Sequence, residues 1–213
     1  MTDRLARLLA GALAAFVLAG CASTGTYNPA YLAAARRPAA TQVDGRVLVV
    51  TSPQDDAFVY TGNPTSFTGS ATTLTLPLGS IVRETAVAAF ADTFKSGAEA
   101  APAVKDADRW VVIVSPKLSS FSYEYNQLKN AGFAITPTAV VNVEVRVLDA
   151  SGATRWQRTY ASGPVEGPSY MLNTSPGEEI NKVTHKALYD MFAKAAADVA
   201  REVVARPAGA AAG

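Results

Sequence analysis

The clearest pattern in the chain lies between residues 139 and 147. Ala139, Val141, Val143, Val145 and Val147 alternate with Asn142, Glu144 and Arg146. A period of two predicts a strand with one buried face and one wet face. Asp149-Ala150-Ser151-Gly152 supplies turn chemistry. Thr154 to Ala161 should return as the hairpin partner, with Trp156, Arg158 and Tyr160 on one face. Upstream, Trp110, Val112 and Val114 alternate with Val111 and Ile113, so that strand should be buried on both faces. Pro116 is expected to break or bulge it. Phe121, Tyr123 and Tyr125 alternate with polar residues on a continuation strand. Arg46 to Thr51 is short and β-branched, a buried strand. Ala57 to Thr61 and Thr72 to Leu76 form two smaller strand-like pieces.

Two helices follow from period 3.6. Val82, Ala86, Ala89, Phe90 and Thr93 make one apolar stripe, with Ser80 as cap, an end near Ser96 and Gly97 at the C′ position. Residues 98–108 are expected to be a loop, as are 163–174. The second helix starts at Ser175. Ser175 and Glu178 match a capping box, and Pro176 occupies the favoured first position. Its stripe is Ile180, Ala187, Leu188, Met191, Ala195, Val199 and Val203, ending near Ala205, before Pro207. His185 falls about 90° from that stripe on the helical wheel and is expected on a solvated face. The order strand, helix, antiparallel run, helix predicts an α+β two-layer sandwich. Its sheet is mostly antiparallel, with two helices on one face. One domain over residues 44–206 accommodates it. No internal repeat is present.

Composition narrows the function. Beyond residue 20, basic and acidic residues balance, which excludes the basic field of a nucleic-acid binder. Residues 22–43 are rich in Ala, Ser, Thr, Gly and Pro and are expected to be a flexible tether. Residues 207–213 are expected to be a disordered tail. The only cysteine, Cys21, closes an amino-terminal segment with Arg4 and Arg7 at its start and an uncharged run from Leu8 to Ala19. That arrangement is a secretory signal peptide over residues 1–20, too short for a spanning helix of ~20 apolar residues.

Leu18-Ala19-Gly20-Cys21 resembles the lipobox of bacterial lipoproteins. The resemblance implies cleavage before Cys21, a diacylglyceryl group on its sulfur and a further acyl chain, such as palmitate, on its new amino group. It also implies, through Ala22, a position on the periplasmic side of the outer membrane. Several acyl chains anchor stably where one would not. A tether over residues 21–43 would then hold the domain roughly 25 Å off the bilayer.

No catalytic constellation is legible. His185 has no second His or Cys to join it in holding a metal. Gly69-Ser70-Ala71 and Gly79-Ser80 are not nucleophile elbows. Asp55-Asp56 and Asp106/Asp108 are paired carboxylates that could serve acid–base work or hold calcium, but Asp in turns and caps is the commoner use. No phosphate loop, metal centre or cofactor is expected. A binding surface is suggested by the aromatic set Tyr60, Phe67, Phe121, Tyr123 and Tyr125, by the hydroxyl-rich stretch Thr61 to Thr75, and by Glu144 on the polar strand face.

The order of elements and the capped last helix over residues 44–205 resemble the TolB amino-terminal domain and CsgG-type or Pel-type secretion lipoproteins. The LptE lipopolysaccharide-assembly lipoprotein is similar in the same way. The expected function is a non-enzymatic outer-membrane lipoprotein, an accessory or assembly subunit that binds an envelope protein. The alternatives are a lipopolysaccharide- or glycan-binding module and a carboxylate-dependent hydrolase.

Overall fold

The structure is a computed structural model describing residues 22–127, 134–171 and 175–205. The segment 1–20, Cys21 and the tail 207–213 lie outside the described residues. Its elements are β1 (Ala22–Thr24), α1 (Pro29–Ala35), β2 (Val47–Val50), α2 (Pro53–Asp56), β3 (Tyr60–Gly62), β4 (Thr73–Leu76), α3 (Leu78–Thr93), β5 (Ala98–Ala101), β6 (Val112–Asn126), β7 (Thr136–Leu148), β8 (Thr154–Ala161), β9 (Val165–Glu166) and α4 (Pro176–Val199). The fold is α+β, as expected.

The alternating strand is β7, and its two faces differ as the pattern requires. Val141, Val143, Val145 and Val147 are buried, and Asn142, Glu144 and Arg146 are partly exposed. β7 pairs antiparallel with β6 on one side and with β8 and β9 on the other. The main sheet runs in the order β5-β2-β6-β7-β8, with β2 parallel to both β5 and β6. A second sheet, β1-β4-β3, stands beside it.

Helices α3 and α4 lie on one face, where Ile81, Phe90, Leu188 and Phe192 share a core with Val47, Val49, Val112 and Val114. On the other face Leu48, Val50 and Ile113 form a smaller core with Trp110 and Ala101. Trp110 donates its indole N–H to the Lys105 carbonyl at 2.8 Å, which fixes the covering loop. Part of the expected loop 98–108 is therefore strand β5. Its Ala98-Glu99-Ala100-Ala101 carries little strand propensity and is held by pairing with β2.

Pro116 does not break β6. It pairs in register with Val145. β2 has its last pair with β6 at Val114, so beyond that point no neighbour on that side needs the missing N–H. The irregularity comes later, between Leu118 and Ser120. One extra residue there flips the parity of the strand. Val112, Val114 and Leu118 join the core on the helix side before it. Phe121, Tyr123 and Tyr125 stay on that side of the sheet after it, against the second sheet and its loop.

The helix termini depart from the expected caps. α3 begins at Leu78, and Ser80 Oγ donates to the Pro77 carbonyl at 3.0 Å from within the first turn. The helix ends at Thr93, and Gly97 follows with φ 78°. Ser175 flanks α4 but makes no side-chain cap hydrogen bond. The Glu178 carboxylate is instead taken by the Tyr31 hydroxyl at 2.6 Å and by Lys182 at 3.4 Å.

Residues 22–43 are not a tether. Ala22 to Thr24 pair in parallel with Thr73 to Thr75. Asn28 caps α1 by accepting from the Ala30 N–H at 2.9 Å, and Leu32 and Ala35 are buried. Asn181 on α4 donates to the Thr26 carbonyl at 2.9 Å. A Cβ on Gly177 would overlap Ser23, so the close approach of this segment to α4 requires glycine there. Arg36 forms an ion pair with Asp92, and the Tyr189 hydroxyl bridges Asp92 and the Arg37 N–H. The small-residue composition that suggests a linker is what lets the segment lie flat on the helices.

Two tests follow by chemical denaturation. Val143→Asp buries an unpaired carboxylate and should cost more than ~4 kcal/mol, abolishing the folded state. Glu144→Lys loses contacts to Arg146 and Gln157 and should cost no more than ~1 kcal/mol. Equal losses would mean the faces of β7 are assigned wrongly. Asn28→Ala should cost about 0.5–2 kcal/mol, whereas Ser175→Ala should be silent within ~0.5 kcal/mol. The reverse order would show that the α4 cap forms and the α1 cap does not.

Candidate functional site: a cleft at the open edge of β6

From Pro116 to Phe121, β6 has no strand beside it on the side that β2 has left, among the described residues. Further along, the loop after β3 covers the same edge. Thr65 N–H donates to the Tyr123 carbonyl at 2.9 Å, and the Tyr125 N–H donates to Ser66 Oγ at 2.9 Å. The uncovered stretch forms one wall of a cleft of about 350 Å³. The opposite wall is α2 with Phe58 and Tyr60, and the floor is Gly79 and Val82 at the start of α3. Gly79 is needed in that floor, because a Cβ would overlap the Asp55 and Asp56 carbonyls.

The lining mixes apolar and hydroxyl groups. Phe58 is 45% exposed, and Tyr60 packs edge-on to Phe121 with ring centroids 4.7 Å apart. Thr51, Ser119, Ser120, Gln54 and Lys117 supply polar groups. Burial raises the Tyr60 phenol above its ordinary value. Burial, helped by Tyr60, pushes the Tyr123 phenol up to about 12, and its neutral hydroxyl donates to the Gly62 carbonyl at 3.0 Å. These phenols are packing and hydrogen-bonding groups at neutral pH.

The aromatic set divides between core and surface. Tyr60 and Phe121 line the cleft. Tyr123 and Tyr125 are buried beneath the second sheet. Phe67 lies away from both, 95% exposed at a loop tip. Glu144 is on the far face of the main sheet, bound to Arg146 and to Gln157 at 2.8 Å. Phe58 and the open edge escape sequence reading. Phe58 reads as part of the strand-like piece Ala57 to Thr61 and lies instead before β3, and an edge depends on where a neighbouring strand stops.

Three of the four paired carboxylates, Asp55, Asp56 and Asp106, have local partners. Asp55 accepts from Ser52 Oγ at 2.6 Å and starts α2 with it, and Asp56 pairs with Arg83. Asp106 adopts a left-handed conformation before a short 3-10 turn and lies 3.7 Å from Arg109. No group of three or more His, Cys, Asp or Glu suited to a metal exists among the described residues.

His185 is not on a solvated face. It is fully buried, because Tyr27 and Tyr31 from the amino-terminal segment cover it, with ring centroids 5.8 and 5.7 Å away. Its Nδ1 lies 2.9 Å from the Asn181 carbonyl, and Nε2 has no partner. A helical wheel cannot register this cover, since it arrives from a segment about 150 residues upstream.

No protein-family model matches the chain, and no curated protein is similar to it in sequence. Solved structures show distant likenesses. One is a Xanthomonas campestris protein of family DUF330, at 14% identity and TM-score 0.44, covering 84% of this chain and 94% of that one. Another is the PelC dodecamer of Paraburkholderia phytofirmans, at 14% identity and TM-score 0.36, covering 70% and 83%. A third is a candidate lipoprotein of Caulobacter crescentus, at 16% identity and TM-score 0.35, covering 60% and 84%. At these identities and TM-scores the likenesses carry no argument about what this chain binds.

Burial lowers the His185 pKa below its ordinary value near 6.5. The unfolded chain therefore binds a proton that the folded chain refuses. Stability should be full above about pH 6.5 and fall as the pH drops below it, and His185→Gln should flatten that slope. Denaturation midpoints between pH 7.5 and about 5 measure it. A wild-type slope no steeper than the variant's would mean that His185 is not the buried titrating group.

Proposed function

We propose that this chain is a non-enzymatic lipoprotein of the bacterial cell envelope. It is anchored through acylated Cys21 on the periplasmic side of the outer membrane and acts as an assembly or accessory subunit. In this reading a partner protein adds an extended segment along the open edge of β6. The observation that supports it is the unpaired stretch Pro116–Phe121 set in a cleft. Main-chain groups at a sheet edge give affinity to an incoming strand, and pockets for alternate side chains give selectivity. Phe58, Tyr60, Leu118 and Phe121 supply apolar lining for such side chains, and Ser119 and Lys117 supply a polar rim. Of the carboxylates that could serve a hydrolase, Asp55 is engaged in the α2 cap and Asp56 in an ion pair with Arg83.

A photoreactive residue at Ser119, in the full chain in its own host cells, should crosslink to an envelope protein. The same residue at Ser151, in the β7–β8 turn, should not. Phe58→Asp lies on the surface and should leave the fold intact while reducing the Ser119 crosslink several-fold. Cys21→Ser should remove the chain from the membrane fraction. A Ser119 crosslink indifferent to Phe58→Asp would defeat the docking reading. A saturation-transfer signal from the protein onto envelope oligosaccharide, lost in Phe58→Asp, would favour a glycan ligand in its place.

A further inference from the structure

Ala22 is the first residue of strand β1, and it pairs with Thr73. An acylated Cys21 would have its Cα only ~3.8 Å from that of Ala22. No slack chain would separate lipid from fold. The end of the molecule around Ala22 would then sit against the bilayer rather than at the end of a leash.

That end has the composition of a surface that rests on lipid. Ala22 and Ser23 converge there with Thr72, Thr73, Tyr125, Ser175 and Pro176 around a shallow cavity. The loop between β3 and β4 closes against Tyr125 through Ser66 and presents Phe67, 95% exposed. Met171, 59% exposed, follows Tyr170, which bridges to Ile135 beside the start of β7. Among the described residues, 22–35, 63–75, 167–171 and 175–177 contain no Asp, Glu, Lys or Arg. Arg36, Glu166 and Glu178 flank these segments in the sequence; Arg36 is paired with Asp92, and Glu178 is bound by Tyr31 and Lys182. Elsewhere charged side chains stud the surface, as at Arg155, Lys186 and Arg201. Described segments that are hydroxyl-rich, carry no charged residue and present exposed Phe and Met lose little on entering the headgroup layer and gain by burying both side chains.

We propose that this face docks directly on the membrane surface, with Phe67 and Met171 entering the lipid, so that the anchored domain has one fixed orientation. The inference rests on acylation of Cys21. Docking also sets the direction of the β6 cleft. β6 runs from Val112 at the far end to Asn126 at the membrane end, so the open edge Pro116–Phe121 stands clear of the lipid and accessible from the periplasm.

Single-site fluorescence on the full acylated chain tests it. Cys21 is blocked by its lipid, so a thiol introduced by Phe67→Cys or Ser151→Cys takes the only label. Both positions are exposed, and neither change removes a core contact. In vesicles of phosphatidylethanolamine and phosphatidylglycerol, the probe at 67 should shift to the blue and lose its emission to a lipid-borne nitroxide. The probe at 151, in the turn at the opposite end, should keep its aqueous spectrum. An acylated chain with both probes in water overturns docking and leaves the anchor standing. A chain whose mass shows no lipid overturns the anchor and docking together.

Discussion

The Tyr31 hydroxyl donating to Glu178, and the Asn181 amide donating to the Thr26 carbonyl, tie the amino-terminal segment to the last helix. Much else depends on those contacts. They place Tyr27 and Tyr31 over His185 and turn a helix-face histidine into a buried one. They withdraw Glu178 from the α4 cap. They bring β1 beside β4, completing the small sheet under which Tyr123 and Tyr125 are buried. The Arg36–Asp92 pair and the Tyr189 hydroxyl extend the same seam onto α3. The Tyr31–Glu178 bond is exposed and the Asn181–Thr26 bond joins uncharged groups, so each contributes about 0.5–1.5 kcal/mol at most. The seam orients the segment, while the core supplies the bulk of the stability.

The sequence makes legible those elements whose two faces differ. β7 is plain because water touches one side of it. β2 and the start of β6 are plain because short continuous β-branched runs favour strands buried on both faces. The amino-terminal segment is illegible for the opposite reason: its packing relies on small residues and a few tyrosines, which make no periodic pattern. β5 is invisible because four residues, mostly alanine, have no strand preference of their own. Of the candidate site, Tyr60 and Phe121 stand out as strand aromatics. The edge between them does not, since it is created by β2 stopping after its pair at Val114.

The extra residue near Ser119 is a small device with two effects. It keeps the apolar residues of β6 on the helix side of the sheet before and after the irregularity, although the sequence changes parity there. It also distorts the exposed edge where a neighbouring strand would add. Edge strands that lie flat and regular invite indiscriminate pairing. A proline at one end and a bulge at the other break the regular edge that indiscriminate pairing needs.

The seam between the amino-terminal segment and α4 also carries a kinetic consequence. Thr26 and Asn181 are separated by 155 residues, and Tyr31 and Glu178 by 147. Contacts across such intervals form only after a very large loop has closed, so they come late on the folding path. The first described residues wait for the last helix, whichever end of the chain appears first. Until α4 is in place, residues 22–43 lack that helix to pack on, and that segment and the last helix complete the fold together.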